Sequence, residues 1–134
     1  MSDLYRDNLL DHYENPRHHG RVAGAQISHE ETNPLCGDRI RVDIRLSDDG
    51  ESIAEIGFSG DGCIISQASA SMLMEDVIGK ALEEALGTDR QRVLDLVGAP
   101  LTPARVKCAL LGLKVMKTGI ANWKLSRGEA SGLS

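Results

Sequence analysis

The three cysteines of this 134-residue chain are its most reactive side chains, and the first lies in the stretch NPLCGD. Cys36 is followed two residues later by Asp38. Pro34 and Gly37 are turn-forming residues, so the pattern predicts a loop that holds a thiol and a carboxylate on the same side. A thiol on a loop is poorly explained by core packing. It is better explained as a nucleophile or a metal ligand.

The other two cysteines are predicted to lie on helices. Cys63 follows the stretch GDG and opens a helix predicted over residues 64–78. A thiol at a helix N-terminus faces the positive end of the helix dipole, which favours the thiolate. Cys108 lies in the last predicted helix, about 130° from the centre of the main apolar stripe. This angle on the helical wheel predicts that Cys108 lies at the edge of the core. Simple core packing remains an alternative for this residue.

Together these residues offer enough ligands for one metal ion or cluster. Cys36, Asp38, Cys63 and Cys108 supply three sulfur atoms and one oxygen atom. Four such ligands suit a tetrahedral zinc site or an iron–sulfur cluster. The gaps of 26 and 44 residues between the cysteines match no zinc-finger pattern. The sequence alone therefore favours a metal site without identifying the metal.

The elements that must position these ligands follow from hydrophobic periodicity. Residues 39–47 alternate apolar and charged side chains and predict a half-buried strand, which the turn DDG joins to a second strand. A further short strand is predicted near residues 22–28. Helices are predicted over residues 3–13 and 64–78, over two short segments, and from Pro103 onward, with Thr102 as the cap.

These elements predict the α+β class: a small three-stranded antiparallel sheet with helices packed on one face and the metal site at one end. Residues 1–121 are expected to form a single domain. Residues 122–134 are expected to form a flexible tail.

Composition narrows the classes of function. The chain is 41% hydrophobic and 26% charged, with a formal net charge of −5, which argues against binding nucleic acid. No apolar stretch approaches the length of a membrane span, and the polar start MSDLYRDN does not resemble a signal peptide. We therefore expect a cytoplasmic protein, in which an odd number of cysteines argues against a disulfide framework.

Four stretches resemble a known family in the right order: LYRDNLLDHYENPRHHG, NPLCGDRIRV, FSGDGCIISQASASMLME and RVKCALLGLKVM. They are similar to the iron–sulfur cluster assembly proteins that include IscU, SufU and the N-terminal domain of NifU. The resemblance runs from about residue 4 to residue 120. It implies that Cys36, Asp38, Cys63 and Cys108 converge on one surface site. It also implies a pyridoxal-phosphate cysteine desulfurase as partner, together with downstream cluster-assembly or acceptor proteins.

The resemblance is divided between two branches of this family. Scaffold-type IscU proteins have a histidine immediately before the last cysteine, whereas this chain has Lys107, which resembles SufU. SufU proteins usually carry an insertion between the second and third cysteines, and the short gap here is nearer to IscU. We favour the SufU branch because the identity of the ligands bears on the chemistry more directly than loop length does. Zn²⁺ is then the expected cofactor, with a [2Fe–2S] cluster as the alternative.

The SufU resemblance implies a zinc-dependent sulfurtransferase in which Cys36 leaves the metal and accepts persulfide sulfur from the desulfurase. Asp38, the one oxygen ligand among sulfurs, would keep the site labile. The alternatives are an IscU-type scaffold on which a [2Fe–2S] cluster is built and passed on, and a purely structural zinc domain. Whether the protein acts as an enzyme or as a non-enzymatic scaffold stays open at this stage.

Overall fold

The computed structural model describes residues 3–34 and 37–128. The elements, in chain order, are helix α1 (Asp3–Glu14), strands β1 (Ile27–Asn33), β2 (Asp38–Leu46) and β3 (Ile53–Asp61), and helices α2 (Ile64–Val77), α3 (Leu82–Leu86), α4 (Arg90–Val97) and α5 (Pro103–Ser126). Within the described ranges, no helix combines the length and the apolar character that a bilayer crossing requires. The predicted α+β class is confirmed.

The sheet has the order β1-β2-β3, with both pairs of strands antiparallel. The alternation predicted for residues 39–47 is the alternation of β2 between its two faces. Its apolar residues are buried against the helices: Ile40, Val42, Ile44 and Leu46. On the other face Asp43 is also buried. Its carboxylate accepts hydrogen bonds from Arg21 Nε at 2.8 Å and from the Ser28 hydroxyl at 2.5 Å, which compensate for the loss of hydration. The segment before β1 is thereby tied to the outer face of the sheet.

The first strand lies further along the chain than the sequence indicated. The predicted strand near residues 22–28 is wrong in position, since β1 spans Ile27–Asn33 and includes the polar stretch HEETN. This strand lies at the edge of the sheet and pairs only with β2, so it needs few apolar residues. Its His29 lies against Gly119 of α5, where a Cβ would come within 3.0 Å of the histidine Cβ. Tertiary contacts decide the position of this strand.

The helices α2 and α5 form the layer that covers the sheet. The stretch QASASMLM in α2 is buried throughout. Helix α5 contacts α2, α4 and the first two strands, which cover most of its apolar residues. Cys108 is consequently buried, at 4% exposure, but it belongs to neither of the two apolar clusters of the described residues, which agrees with the predicted position at the edge of the core. The helix continues to Ser126, past the boundary predicted at residue 121, while residues 129–134 of the predicted tail lie outside the described residues.

The close approach of α5 to α2 depends on a glycine, and we expect it to be sensitive to substitution. A Cβ on Gly112 would stand 3.3 Å from the Cβ of Ala70, which leaves no room for branched methyl groups. Gly112→Val should lower the free energy of unfolding by about 1–3 kcal/mol through overpacking. Urea denaturation of the metal-free protein measures the change.

Ala104→Val is the matched control, because Ala104 is exposed near the start of the same helix. It should cost only about 0.5 kcal/mol, the difference in helix propensity. Equal costs for the two variants would contradict tight packing at Gly112.

Candidate metal centre

Three of the predicted ligands converge at the end of the sheet where β2 begins and β3 ends. Asp38 is the first residue of β2, Cys63 directly precedes α2, and Cys108 lies in the second turn of α5. One ligand atom from each residue lies within 4.8 Å of the other two. Asp38 and Cys108 are buried, whereas Cys63 is partly exposed. The two sulfurs and one carboxylate therefore face a common point that solvent reaches beside Cys63.

The Asp38 carboxylate is held by the residue that opens α2. Its Oδ1 accepts a hydrogen bond from the backbone N–H of Cys63 at 2.9 Å. Its Oδ2 lies 3.6 Å from the Cys63 Sγ, so the thiol can donate to it. One oxygen therefore accepts from the backbone, and the other is directed toward the sulfur of Cys63.

This contact replaces a local helix cap with a tertiary one. Cys63 is the N-cap of α2, and its side chain makes no capping hydrogen bond. In a capping box, a glutamate or glutamine three residues later would accept the N-cap N–H. Here Asp38 accepts it from a different element, the start of β2. A carboxylate in this position also complements the positive end of the helix dipole.

Gly62 permits the close approach of the two elements. A Cβ at this position would stand 2.2 Å from Asp38 Oδ1 and 2.9 Å from the hydroxyl oxygen of Ser66. The glycine also has a φ of +150°, which residues with a Cβ rarely adopt. These distances show that the close approach of the backbone to Asp38 requires a glycine here.

Cys36, the fourth predicted ligand and the predicted sulfur acceptor, lies outside the described residues. Pro34 and Gly37, on either side of this gap, are described, and the Gly37 N–H donates to the Asn33 carbonyl at 2.8 Å. That bond brings the end of β1 close to the start of β2, where Asp38 stands. The chain on both sides of the gap therefore lies near Asp38.

Two basic residues that precede Cys108 lie on different sides of the centre. Arg105 is exposed and lines a cleft with Cys63 and Ile64. Lys107 is exposed and lines a separate cavity beside Pro34. Charged arginine and lysine side chains have no lone pair to offer a metal, so neither residue is a candidate ligand.

Sequence reasoning missed Ser66 and Gln67 as components of this centre. Both side chains are buried, and they form hydrogen bonds directly beneath Cys63. The available signal was a serine three residues after Cys63, at the third position of the predicted helix. The surrounding small residues indicated only close packing.

The α+β fold and the cluster of Asp38, Cys63 and Cys108 agree with what comparison with known families shows. The family described as the NifU-like N terminal domain matches residues 4–130, so the chain belongs to this family of iron–sulfur cluster assembly proteins. The resemblance drawn from the sequence motifs is thus confirmed.

Individual relatives come from both branches. The chain is 38% identical to the "Zinc-dependent sulfurtransferase SufU" of Bacillus subtilis, over 90% of this chain and 92% of the relative. It is 34% identical to the "Iron-sulfur cluster assembly scaffold protein IscU" of Haemophilus influenzae, over 92% of this chain and 98% of the relative. Among solved structures, FiSufU of Fervidobacterium islandicum superimposes with a TM-score of 0.73 at 26% identity, covering 90% of this chain and 99% of FiSufU.

The contact between Asp38 and the α2 N-terminus yields a test of the centre without metal. Gly62→Ala should destabilise the protein by roughly 2 kcal/mol more than Gly79→Ala, because its methyl group would collide with the held carboxylate. Gly79 is the matched control, since its φ is also positive, at +82°, but a Cβ there would meet nothing within 4 Å. Urea denaturation of both variants measures the difference. If the two variants lost the same stability, Asp38 would be free to move and the described contact would be wrong.

Proposed function

We propose that this protein accepts persulfide sulfur from a cysteine desulfurase for iron–sulfur cluster assembly. In this proposal Cys36, Asp38, Cys63 and Cys108 bind Zn²⁺, and Cys36 is the sulfur acceptor. The observation that carries the proposal is the convergence of Asp38, Cys63 and Cys108 at the end of the sheet. The name of the Bacillus subtilis relative, a zinc-dependent sulfurtransferase, supports it.

The described donors fit a zinc ion. Tetrahedral zinc with bonds of about 2.3 Å to sulfur and 2.0 Å to oxygen separates its ligand atoms by about 3.5–3.8 Å. The Asp38 Oδ2 to Cys63 Sγ distance is 3.6 Å, and all three donors lie within 4.8 Å of one another. Small side-chain rotations would bring them to one ion, with the fourth position left for Cys36.

The charges of the donors also favour a cation. Asp38 is buried at 1% exposure beside two thiols, and a carboxylate in such surroundings is stabilised by a positive partner. When bound, Zn²⁺ would keep the coordinating thiols deprotonated at neutral pH. Three thiolates and one carboxylate around Zn²⁺ would give a net charge of about −2. The exposed cations Arg105 and Lys107 lie close enough along α5 to offset part of it.

The proposed transfer is a thiol–persulfide exchange. The Cys36 thiolate attacks the outer sulfur of the donor persulfide, a new S–S bond forms at Cys36, and the donor cysteine leaves as a thiolate. One S–S bond forms as another breaks, so no external oxidant or reductant is required. A loop residue is suited to this role, since it can approach a partner's cysteine more easily than a residue on a packed helix.

An apolar cleft beside Cys63 supports the approach of a protein partner. It has a volume of about 610 Å³ and lies between α1, the start of α2 and Arg105. Tyr13 and Ile64 line it and are among the exposed large hydrophobic residues of the described chain, at 41% and 39%. We propose that the desulfurase covers this cleft during transfer, which would take place in a reducing compartment such as the cytoplasm.

The scaffold function is the second candidate, with a [2Fe–2S] cluster as the cargo assembled on the same four residues. Two observations favour it: the short segment between Cys63 and Cys108, and 34% identity to an IscU along nearly its whole length. Lys107 argues for the sulfur-acceptor function, since an ammonium group cannot coordinate a metal while charged.

Metal content separates the two functions. We expect the purified protein to contain about one Zn²⁺ per chain and to retain it during anaerobic incubation with Fe²⁺, cysteine and a desulfurase. Elemental analysis and visible absorption spectra measure the outcome. Replacement of zinc by a stable [2Fe–2S] chromophore would favour the scaffold and overturn the zinc-dependent acceptor.

The same preparation tests a purely structural zinc site. The apolar core extends across the sheet, α2 and α5, away from the metal centre. Removal of zinc by a chelator should therefore leave the far-ultraviolet circular dichroism largely unchanged. Complete unfolding on chelation, together with no stimulation of the desulfurase, would support the structural alternative.

Substitution of the acceptor cysteine tests the mechanism. Cys36→Ala should abolish transfer of ³⁵S from the desulfurase persulfide, while Asp38, Cys63 and Cys108 still retain some zinc. Cys108→Ala is the comparison, because it removes a buried ligand and should reduce zinc content more strongly. Labelling at the normal rate in Cys36→Ala would show that Cys36 is not the acceptor.

A further inference from the structure

Two buried polar side chains, Ser66 and Gln67, are linked to the Cys63 carbonyl by consecutive hydrogen bonds. The Gln67 Nε2 donates to the Ser66 hydroxyl oxygen at 3.1 Å, and the Ser66 hydroxyl donates to the Cys63 carbonyl at 3.1 Å. Ser66 is fully buried and Gln67 is 9% exposed. Both lie in the first turn of α2, directly after Cys63.

The direction of these hydrogen bonds follows from the chemistry of their groups. The amide nitrogen of Gln67 can only donate, so the Ser66 oxygen must accept from it. The single hydroxyl proton of Ser66 is then left for the Cys63 carbonyl. That carbonyl also accepts the backbone N–H of Gln67 at 3.2 Å, the first hydrogen bond of α2. The Cys63 carbonyl is thus held by two donors.

Cys63 is consequently fixed on both sides of its Cα atom. Its N–H donates to Asp38, and its carbonyl is held by Ser66 and Gln67. The Ser66 hydroxyl also lies close to the Asp38 carboxylate, since both would contact a Cβ on Gly62. The orientation of the Cα–Cβ bond of Cys63 therefore depends on these contacts. The position of its sulfur relative to Asp38 and Cys108 depends on them in turn.

We infer that Ser66, supported by Gln67, is a positioning residue of the metal centre. It orients Cys63 through its carbonyl and does not itself bind the metal. This inference rests on the proposed function, since it requires that Cys63 be a metal ligand. Groups that orient ligands typically affect metal affinity by about 10- to 100-fold when they are removed.

The same helix contains a matched control. Ser69 lies three residues further along α2, is buried at 1% exposure, and has a hydroxyl with no hydrogen-bond partner among the described residues. Ser66→Ala and Ser69→Ala therefore remove the same group from the same buried helix. Only the first removes a hydrogen bond to Cys63.

The experiment measures metal binding to the folded, metal-free full chain with Co²⁺ as the spectroscopic probe and Zn²⁺ in competition with a chelator. Ser66→Ala should weaken Zn²⁺ binding by about tenfold and alter the thiolate-to-Co²⁺ charge-transfer absorption. Ser69→Ala should bind as the wild type does and give its spectrum. Urea denaturation confirms that each variant is folded under the binding conditions, so that differences in stability do not enter the measured affinity.

A second substitution keeps the test decisive if Ser66→Ala folds poorly. Gln67→Met removes only the donor behind Ser66 and should produce a smaller loss of affinity with a spectral change in the same direction. Wild-type affinity and an unchanged spectrum in both Ser66→Ala and Gln67→Met would overturn the positioning role while leaving the metal site intact. Absence of Co²⁺ and Zn²⁺ binding in the wild-type protein would overturn the proposed function, and this inference with it.

Discussion

The hydrogen bond from the Cys63 backbone to the Asp38 carboxylate is the interaction on which the centre depends. It joins the first residue of β2 to the residue that opens α2, across 25 positions of the sequence. Because Cys63 has no capping side chain of its own, the helix obtains its cap from the sheet. The same carboxylate is a candidate ligand, so the element that completes the helix also brings an oxygen donor to the sulfur. A displacement of β2 against α2 would disturb the cap and the centre together.

The third donor reaches the centre through helix packing. Helix α5 lies against α2 and the sheet, and two glycines on it allow close contact: Gly112 with Ala70 and Gly119 with His29. This packing buries Cys108 and directs its sulfur toward Asp38 and Cys63. Burial protects the Cys108 thiol from solvent oxidants, whereas Cys63 is partly exposed.

The residues that form the apolar core are separate from the candidate metal-ligating residues. The apolar core lies among the sheet, α2 and α5, and the polar donors are confined to one end of it. In the proposed function, a centre at the end of the core would lose or exchange a ligand without unfolding the domain. The apolar cleft between α1 and the start of α2 is lined by Cys63, so the proposed partner would dock beside the centre.

The sequence by itself determined the fold class, the strands β2 and β3, the helices and the family, because alternation, helical periodicity and the motifs around Asp38, Cys63 and Cys108 are local signals. It also indicated that these residues could share a metal. Only the tertiary structure decided which groups hold them in place. The edge strand β1 has a polar sequence and was misplaced, since its position depends on pairing with β2. Burial of Cys108 depends on contacts to several elements at once, which a single helical wheel does not describe. The contact of Asp38 with Cys63 joins a strand to a helix across 25 positions of the sequence, and its geometry exists only after the chain has folded.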